Sequence, residues 1–470
     1  MTNLIWANFL HIYQPPTQKP YWVKKVAEES YRKLIKGLLE SPGAKVTMNV
    51  SGVLLELLEA YGCKDVIDGM RQLLKRGQLE LTGSAKYHAL LPFLPAPEIE
   101  RQVKLNETTL KHFFGDDWQP RGFFPPEMAF TTELARVIAG LGYQWVIVDE
   151  LSFPKEQGQV DYGYVYDVAG VNNFSIFFRE RRMSWVILSG QIGTGRLLIR
   201  NLGDRLQNKE YLLTAMDGET FGHHRPGLEQ LLFEIYRESV LETVTISELL
   251  NRFSHCLILP ITSTWALMEK DLEQKKPFSR WYDEGNDIHQ LQWQLTNLAL
   301  QQINQATVND SEYSHARGLL DKALHSDQYW WASARPWWSI EMIECGAKEL
   351  YDAVLAMPGI GQDVKDKAKH LYHTIIFTAF DWQRSGLVDK LAHREDEDVR
   401  QRVDTGLPQL PSAEVDKMVA GLQEEMKITV SRQEFERAAQ IRDRIAELKR
   451  YAADVEKPQA TAEGGAEWDK

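Results

Sequence analysis

Two carboxylic acids, Glu127 and Asp217, lie in sequence contexts that suit acid–base chemistry. Glu127 follows two prolines in GFFPPEMAF, and Asp217 follows an apolar run in YLLTAMDGETFGHHRPG. Two carboxyl groups that face one pocket can cleave a glycosidic acetal, because one attacks the anomeric carbon while the other protonates the leaving oxygen. Each acid could equally be a buried structural carboxylate, and the two segments alone leave both interpretations open.

The elements that must position these acids are strands and helices in alternation, which indicates an α/β fold with a parallel sheet. Seven strand–helix units up to about residue 270 favour a closed or nearly closed barrel. Helices are predicted at residues 53–75 and 98–114. The predicted strands are residues 5–12, 46–50, 79–82, 122–124, 145–148, 212–216 and 257–261.

Polar residues follow several of these strands, on the face where β/α barrels assemble their active sites. Some of them could instead cap the helices that follow, and we favour that interpretation for Asn49 and Asp149. The polar residues at strand ends are His11, Asn49, Glu80 with His88, Glu127, Asp149 with Glu150, and Asp217.

The remainder of the chain reads as helical, with an aromatic connection at residues 325–333 (HSDQYWWAS). Residues 405–413 (TGLPQLPSA) have the composition of a linker. We therefore predict a catalytic barrel at 1–285, a helical domain at 286–400, a linker at 401–414, a helical hairpin at 415–450 and a disordered tail at 451–470.

Composition restricts the class of protein. The net charge of −12 provides no global basic field for nucleic acid. Three widely spaced cysteines suggest neither disulfides nor a zinc cluster. No apolar stretch approaches the length of a membrane span, and the N-terminus lacks the basic start of a signal peptide. We therefore expect a cytoplasmic protein with no membrane contact and no nucleic-acid partner.

Five segments of the chain resemble, in order, the five sequence regions of glycoside hydrolase family 57. The third, FFPPEMAF, carries Glu127 at the position of the family nucleophile, and the fourth, LTAMDGETFGHH, carries Asp217 at the position of the acid/base. The other three are HIYQPP (residues 11–16), GQLELTGSAKYHALLP (77–92) and HSDQYWW (325–331).

The resemblance implies an incomplete (β/α)7 barrel followed by an α-helical domain that helps to shape the cleft. It also implies a retaining double displacement on α-1,4-glucans without a cofactor or metal. Amylases, 4-α-glucanotransferases and branching enzymes all belong to this family, so the resemblance leaves hydrolysis, transfer and branching open.

Sugar contacts are expected from the residues around these regions. Tyr13 departs from the family pattern, which has a histidine there, and a tyrosine hydroxyl can hydrogen-bond a sugar but carries no positive charge. The expected contacts are His11, Tyr13, Gln14, Glu80, His88, Glu219, His223, Asp327, Trp330 and Trp331.

The C-terminal hairpin resembles the UVR motif of bacterial excision-repair proteins, most closely in FERAAQIRDRI. Eight basic and seven acidic residues over 415–450 form no basic stripe, which disfavours nucleic-acid binding. The hairpin could bind a protein partner or dock on its own enzyme.

Two other functions stay open. A metal-dependent relative of the polysaccharide deacetylases or α-mannosidases would need a His/Asp ligand cluster, for which His223 and His224 are the only local histidine pair. A catalytically silent glucan-binding or regulatory protein would act through the UVR-like hairpin.

Overall fold

The computed structural model describes residues 3–155, 157–238, 241–305, 311–393 and 412–455. Its strands form two five-stranded sheets. The first has the order β3-β2-β1-β8, with β9 also paired to β1, and the second has the order β10-β6-β7-β5-β4. The strands are β1 (Ile5–Ile12), β2 (Val46–Val50), β3 (Leu79–Leu81), β4 (Gly122–Phe123), β5 (Trp145–Asp149), β6 (Tyr164–Val168), β7 (Ser175–Arg179), β8 (Tyr211–Asp217), β9 (Glu242–Thr243) and β10 (Ser254–Ile258).

Helices follow most of the strands and then dominate the chain after residue 285. A π-helical turn, Ala27–Tyr31, joins α1 and α2 into one continuous helical segment. The α-helices are α1 (Pro20–Val26), α2 (Arg32–Leu39), α3 (Gly52–Ala60), α4 (Lys64–Lys75), α5 (Ala96–Phe114), α6 (Thr132–Gly140), α7 (Arg181–Leu188), α8 (Gly195–Leu202), α9 (Glu229–Glu238), α10 (Ile246–Leu249), α11 (Glu269–Glu273), α12 (Asp287–Gln305), α13 (Ser311–Ala323), α14 (Asp327–Trp330), α15 (Ile340–Leu355), α16 (Gln362–Ser385), α17 (Ser412–Ser431) and α18 (Phe435–Val455).

Backbone hydrogen bonds connect the two sheets at both sides. Gly83 lies just beyond β3. Its carbonyl accepts a hydrogen bond from the Phe124 amide at 2.9 Å, and its amide donates to the Gly122 carbonyl at 2.9 Å. On the other side, the Glu180 amide beyond β7 donates to the Leu213 carbonyl in β8 at 2.7 Å. Every strand pair is parallel except β6 with β7.

Successive side chains of the central strand β1 point to opposite faces, so the strand contributes to two apolar clusters. Ala7 and Phe9 pack into the cluster that includes β4, β5 and β7. Trp6 and Leu10 pack on the opposite face, with the helices α2, α4 and α9. His11 follows Ala7 and Phe9 on their face, so it projects toward the end of the first cluster.

The C-terminal hairpin belongs to the second cluster. Its buried side chains share that cluster with residues of α2, α8 and α9 and are Val415, Val419, Leu422, Ile441, Ile445 and Leu448. Phe435, at the start of α18, is 66% exposed.

Several predicted elements differ from the structure. The helix predicted at 53–75 is two helices, because the chain turns at Gly62 with φ +80°. The strand predicted at 257–261 lies at Ser254–Ile258, and β6, β7 and β9 were not predicted. Helix α17 begins at Ser412, within the predicted linker, and α18 continues to Val455, into the predicted tail. The rest of that linker and tail lies outside the described residues.

Candidate active site

A cavity of about 550 Å³ opens at the carboxyl ends of the strands, a size suited to a small-molecule ligand. Its wall combines the ends of β1, β7 and β8 with the turn at Glu127 and the segment around α14. The lining residues are His11, Tyr13, Gln14, Pro15, His88, Glu127, Arg179, Trp185, Leu188, Met216, Asp217, Glu219, His224, Trp265, Ala266, Asp327, Trp330, Trp331 and Trp337.

Strand register places Asp217 at the edge of this cavity. In β1, His11 pairs with Asn49 of β2 and with Asp217 of β8, so the three residues end neighbouring strands at one level. The next residue must be a glycine, because a Cβ at Gly218 would lie 2.5 Å from the Ile12 side chain. This close approach ends β8 and leaves the Asp217 carboxylate at the cavity.

Glu127 lies in a tight turn, Pro126–Met128, with a left-handed backbone at φ +61°. Such a conformation costs a non-glycine residue about 1–3 kcal/mol and persists only when the surroundings enforce it. Trp265 supplies that support twice. Its amide donates to the Glu127 carbonyl at 3.2 Å, and its Nε1 donates to Glu127 Oε2 at 2.9 Å. His88 Nδ1 lies 3.7 Å from Glu127 Oε1.

Three carboxyl groups around the cavity bind protons more tightly than free acids. Burial raises the pKa of Glu127 to about 8, and the negative charges of Asp327 and Asp217 add to this effect. Burial raises the pKa of Asp217 to about 6, against the opposing charge of Arg179. Burial and the charge of Asp217 raise the pKa of Glu219 to about 8. The site can therefore hold and donate protons near neutral pH.

Asp327 stays ionised beside these acids. Although burial opposes it, hydrogen bonds to Asp327 and Glu349 raise the pKa of His325 to about 10. The His325 nitrogens lie 3.1 Å from Asp327 Oδ2 and 2.9 Å from Glu349 Oε2. The Tyr13 hydroxyl donates to Asp327 Oδ2 at 2.6 Å. Asp327 is thus fixed in position by a cation and a hydroxyl.

Two histidines and Tyr13 form a stacked layer on one wall of the cavity. The Tyr13 and His88 rings lie 4.1 Å apart at an interplanar angle of 14°. His88 Nε2 lies 3.1 Å from His11 Nε2, and His11 Nδ1 lies 2.8 Å from Asn49 Oδ1. Burial lowers the pKa of His88 to about 4, and it also lowers that of His11. Both rings are therefore neutral at physiological pH and can accept or donate one hydrogen bond at each nitrogen.

Tryptophans form another part of the wall. Trp330 lies 5.1 Å from Trp281 and 6.1 Å from Trp337 between ring centroids. Trp337 is 46% exposed although it lines the cavity. A large aromatic face left open beside a polar cavity suits the apolar face of a sugar ring.

Ten of the predicted site residues line the cavity. They are His11, Tyr13, Gln14, His88, Glu127, Asp217, Glu219, Asp327, Trp330 and Trp331.

Glu80, also predicted to contact sugar, is not among the lining residues. It pairs with Thr47, two residues before the level of Asn49 and His11, and its carboxylate accepts hydrogen bonds from Thr47 and Ser247. Glu80 therefore links β2, β3 and the start of α10 below the cavity.

His223 was predicted to contact sugar, but its neighbour His224 lines the cavity instead. His223 Nδ1 bonds Glu29 Oε2 at 2.5 Å. Adjacent side chains on this turn point in different directions, so only one of the pair can reach the ligand. In the described part of the chain, no group of three or more His, Cys, Asp or Glu residues is arranged to hold a metal ion.

Five charged or aromatic lining residues were not predicted from the sequence: Arg179, Trp185, His224, Trp265 and Trp337. Arg179 ends the unpredicted strand β7, and its Nη1 lies 3.1 Å from the buried Asp149. A sequence signal for it existed, since an apolar run ends there in RERR. For Trp265, the aromatic residue type was the only hint in the sequence that it lines the cavity. Its contact with Glu127 joins positions 138 residues apart, which local patterns do not reveal.

Residues 7–261 match the sequence profile of Glycosyl hydrolase family 57. The fold and site thus define a glycosidase-type α/β protein, and the chain belongs to glycosyl hydrolase family 57. Residues 416–451 also match the profile of the UvrB/uvrC motif.

Curated relatives are similar over part of their length. An α-amylase of Pyrococcus horikoshii is 25% identical over 282 residues, covering 57% of this chain and 43% of that protein. A 4-α-glucanotransferase of Thermococcus kodakarensis is 24% identical over 375 residues, covering 70% and 54%. The chain spans about half the length of these curated relatives.

Solved structures share the fold. The 4-α-glucanotransferase of Thermococcus litoralis superposes with a TM-score of 0.60 at 19% identity, covering 75% of this chain and 60% of that one. A branching enzyme of this family from Thermococcus kodakaraensis gives 0.62 at 15% identity, covering 78% and 94%. At these identities the likeness establishes an α/β fold with a large helical part. None of the helices in the described residues has both the length and the apolar character that a bilayer crossing requires.

Proposed function

We propose that this protein is a retaining hydrolase or transferase of α-1,4-glucans. Glu127 is the nucleophile and Asp217 the general acid/base. The observation that carries the proposal is that both carboxyl groups line one aromatic-walled cavity, close enough for the charge of Asp217 to raise the pKa of Glu127. Membership of glycosyl hydrolase family 57 and relatives named amylase and 4-α-glucanotransferase support it.

The reaction has two displacements at the anomeric carbon. In the first, a Glu127 oxygen bonds to that carbon while Asp217 gives its proton to the leaving sugar oxygen. In the second, the Asp217 carboxylate takes a proton from water or from a sugar hydroxyl. The oxygen that loses this proton bonds to the anomeric carbon, and the bond between that carbon and Glu127 breaks. Trp265 orients the nucleophile through its hydrogen bond to Oε2.

For the first displacement, Asp217 must be protonated and Glu127 must be ionised. In the cavity without substrate, however, the proton is bound more tightly by Glu127 than by Asp217. The pKa of Glu127, about 8, exceeds that of Asp217, about 6, so near pH 7 the free pair shares one proton that lies mainly on Glu127. Positive charge develops on the sugar ring as the bond breaks, and this charge stabilises the ionised form of Glu127. We propose that the reaction starts from the minor form of the pair, with Glu127 ionised and Asp217 protonated, which the charge developing on the sugar stabilises in the transition state.

The remaining lining residues bind the sugars. Asp327 and Tyr13, already hydrogen-bonded to each other, offer charge-assisted bonds to neighbouring hydroxyls. Trp330, Trp331 and Trp337 provide faces for stacking. Gln14 lies 3.4 Å from Glu219 and fixes that carboxylate at the opposite wall.

We propose that β1, β2, β3, β4, β5, β7 and β8 form an incomplete seven-stranded barrel, in which the bonds from Gly83 and Glu180 join the sheets. The helical domain at 286–400 completes the cleft by contributing Asp327 and the tryptophans. A protein partner for residues 415–450 would bind the outer face of the hairpin, because the buried face already belongs to the apolar cluster of the main body.

Glu127→Gln and Asp217→Asn test the proposal with maltoheptaose as substrate. Each removes one group that both displacements need, so we expect activity to fall by roughly three orders of magnitude or more. Glu133→Gln, an exposed carboxylate outside the cavity, is the matched control and should keep full activity. Activity should also be unchanged after chelation, which a metal-dependent relative would not survive.

Chromatography of the products from maltotriose, maltoheptaose and amylose distinguishes the reactions. Longer chains would mean transfer, new α-1,6 branches would mean branching, and only shorter chains would mean hydrolysis. Maltoheptaose binding without any wild-type turnover would refute the enzyme and favour a glucan-binding protein.

A further inference from the structure

The C-terminal hairpin contacts the segment that carries the proposed acid/base. This segment, residues 217–225, leaves β8 at Asp217 and folds into a turn that includes Glu219 and His224. Gly227, two residues later, packs against Leu422 of α17. The hairpin therefore lies directly behind one wall of the cavity.

Arg437 of α18 makes the central contact. Its side chain is 4% exposed, although it carries a full charge. Its Nη2 donates to the backbone carbonyl of Gly222 at 2.8 Å, and its Nη1 lies 2.9 Å from Glu29 Oε2. Glu425 of α17 lies 3.3 Å from Nη2. One planar guanidinium thus bonds to three parts of the protein: residues 217–225, the π-helical turn Ala27–Tyr31 and the hairpin itself. The compact ammonium group of a lysine could not bond to all three.

Gly222 transmits this contact to the cavity. Its φ is +103°, and a Cβ there would lie 2.1 Å from the Glu29 carbonyl oxygen, so the turn and the π-helical turn are in direct contact. The next two amides, of His223 and His224, donate to the Glu219 carbonyl at 3.2 and 2.8 Å. Moving Gly222 would therefore move Glu219 and His224, which line the cavity.

Glu29 connects the same groups from the other side. Its Oε2 bonds both Arg437 and His223. Its neighbours on the π-helical turn also hold the segment: the Ser30 hydroxyl donates to the Gly218 carbonyl at 3.0 Å, and the Tyr31 hydroxyl donates to Glu219. The segment next to Asp217 is thus held between the π-helical turn and Arg437.

We propose that Arg437 is a positioning residue for turnover, which it controls by holding residues 218–224 against the cavity. This inference rests on the proposed function and extends the catalytic unit to the C-terminal hairpin. Arg437 contacts Gly222, Glu29 and Glu425, which are not among the residues that line the cavity. Its effect passes through Gly222 and Glu29, and any displacement of the hairpin would reach Asp217 and Glu219 by this route.

Arg437→Lys separates positioning from folding. A lysine keeps the charge beside Glu29 and Glu425 but cannot also reach the Gly222 carbonyl. We expect the melting temperature to stay close to that of the wild type while kcat on maltoheptaose falls by about tenfold, because small misplacements of reacting groups are costly. KM should change little, since the tryptophans of the cavity lie on other segments.

Arg442→Ala is the matched control on the same helix, because Arg442 is 68% exposed and pairs with its neighbour Asp443. Arg437→Ala extends the series by removing the charge. Hydrogen–deuterium exchange of residues 218–225 should rise in both Arg437 variants and not in Arg442→Ala.

Three results would overturn the inference: unchanged exchange of residues 218–225 in both Arg437 variants, unchanged kcat in Arg437→Lys despite faster exchange, or equal loss in Arg442→Ala. A wild type without turnover would refute the proposed function separately. The inferred contact is then judged by the exchange comparison alone: faster exchange of residues 218–225 in both Arg437 variants supports it, and unchanged exchange overturns it.

Discussion

At the residue scale, the site depends on carboxyl groups whose proton affinities are set by their neighbours. Burial in the shared cavity raises the pKa of Glu127, Asp217 and Glu219. The charge of Asp217 adds to this effect at Glu127 and Glu219, whereas the charge of Arg179 opposes it at Asp217. The residue type at 127 and 217 was predictable from the sequence. The order of their pKa values was not, because it depends on burial and on charges from distant segments.

The pH profile of kcat/KM tests this arrangement. The active pair holds one proton, so activity should fall below about pH 6, where both acids are protonated, and above about pH 8, where neither is. With 4-nitrophenyl α-maltoside, whose leaving group needs no proton, Asp217→Asn should lose the alkaline limb. Its acid limb should move to higher pH, because ionisation of Glu127 alone then limits activity and burial holds the pKa of Glu127 above that of Asp217. An alkaline limb that persists in Asp217→Asn and disappears in Glu219→Gln would assign the acid to Glu219.

At the scale of elements, the site is assembled where a strand end or turn meets a segment far away in the chain. The isolated bridge between Ala89 and His325 brings α14 to the loop after β3, and the bridge between Phe130 and Ser263 brings Trp265 to Glu127. Strand β1 was predicted at its true limits because its apolar run is long. Strands β6 and β7 were missed because an antiparallel pair interrupts the strand–helix alternation on which the prediction relied.

His325 should stabilise the start of α14 in a pH-dependent manner. Its folded pKa of about 10 lies above the value of about 6.5 for a free histidine, so its contribution is complete below pH 6.5 and is lost as the pH rises through 10. We expect His325→Gln to lower the free energy of unfolding by about 1–3 kcal/mol at pH 6. The difference from the wild type should shrink toward pH 10. Urea titrations at several pH values measure it, and a pH-independent difference would contradict the charge assignment.

At the scale of the whole molecule, the C-terminal hairpin is part of the folded body. Its apolar side chains share one cluster with β1, α2 and α9. The sequence predicted the hairpin but left open whether it docks on its own enzyme or binds a partner. The buried hairpin residues lie in the apolar cluster of the main body, which only the tertiary structure shows.

Ile441→Ala tests the shared core. Ile441 is fully buried between the hairpin and the body, and truncating such a side chain costs about 2–4 kcal/mol. Because the cluster is continuous, unfolding in urea should remain a single transition at lower denaturant concentration. Phe435→Ala, at a site that is 66% exposed, should change stability by less than about 0.5 kcal/mol. A separate early transition in Ile441→Ala would mean that the hairpin folds as an independent unit.

The sequence by itself determined the features that depend on local pattern: the α/β class, strand β1, helix α5 and the residue types at positions 127 and 217. Side-chain direction and long-range contact were decided only in the tertiary structure. That is why Glu80 lies below the cavity, why His224 replaces His223, and why Trp265, Arg179 and Arg437 had to be found in three dimensions. Periodicity specifies which face of an element is apolar, whereas the partner that covers that face depends on how the whole chain packs.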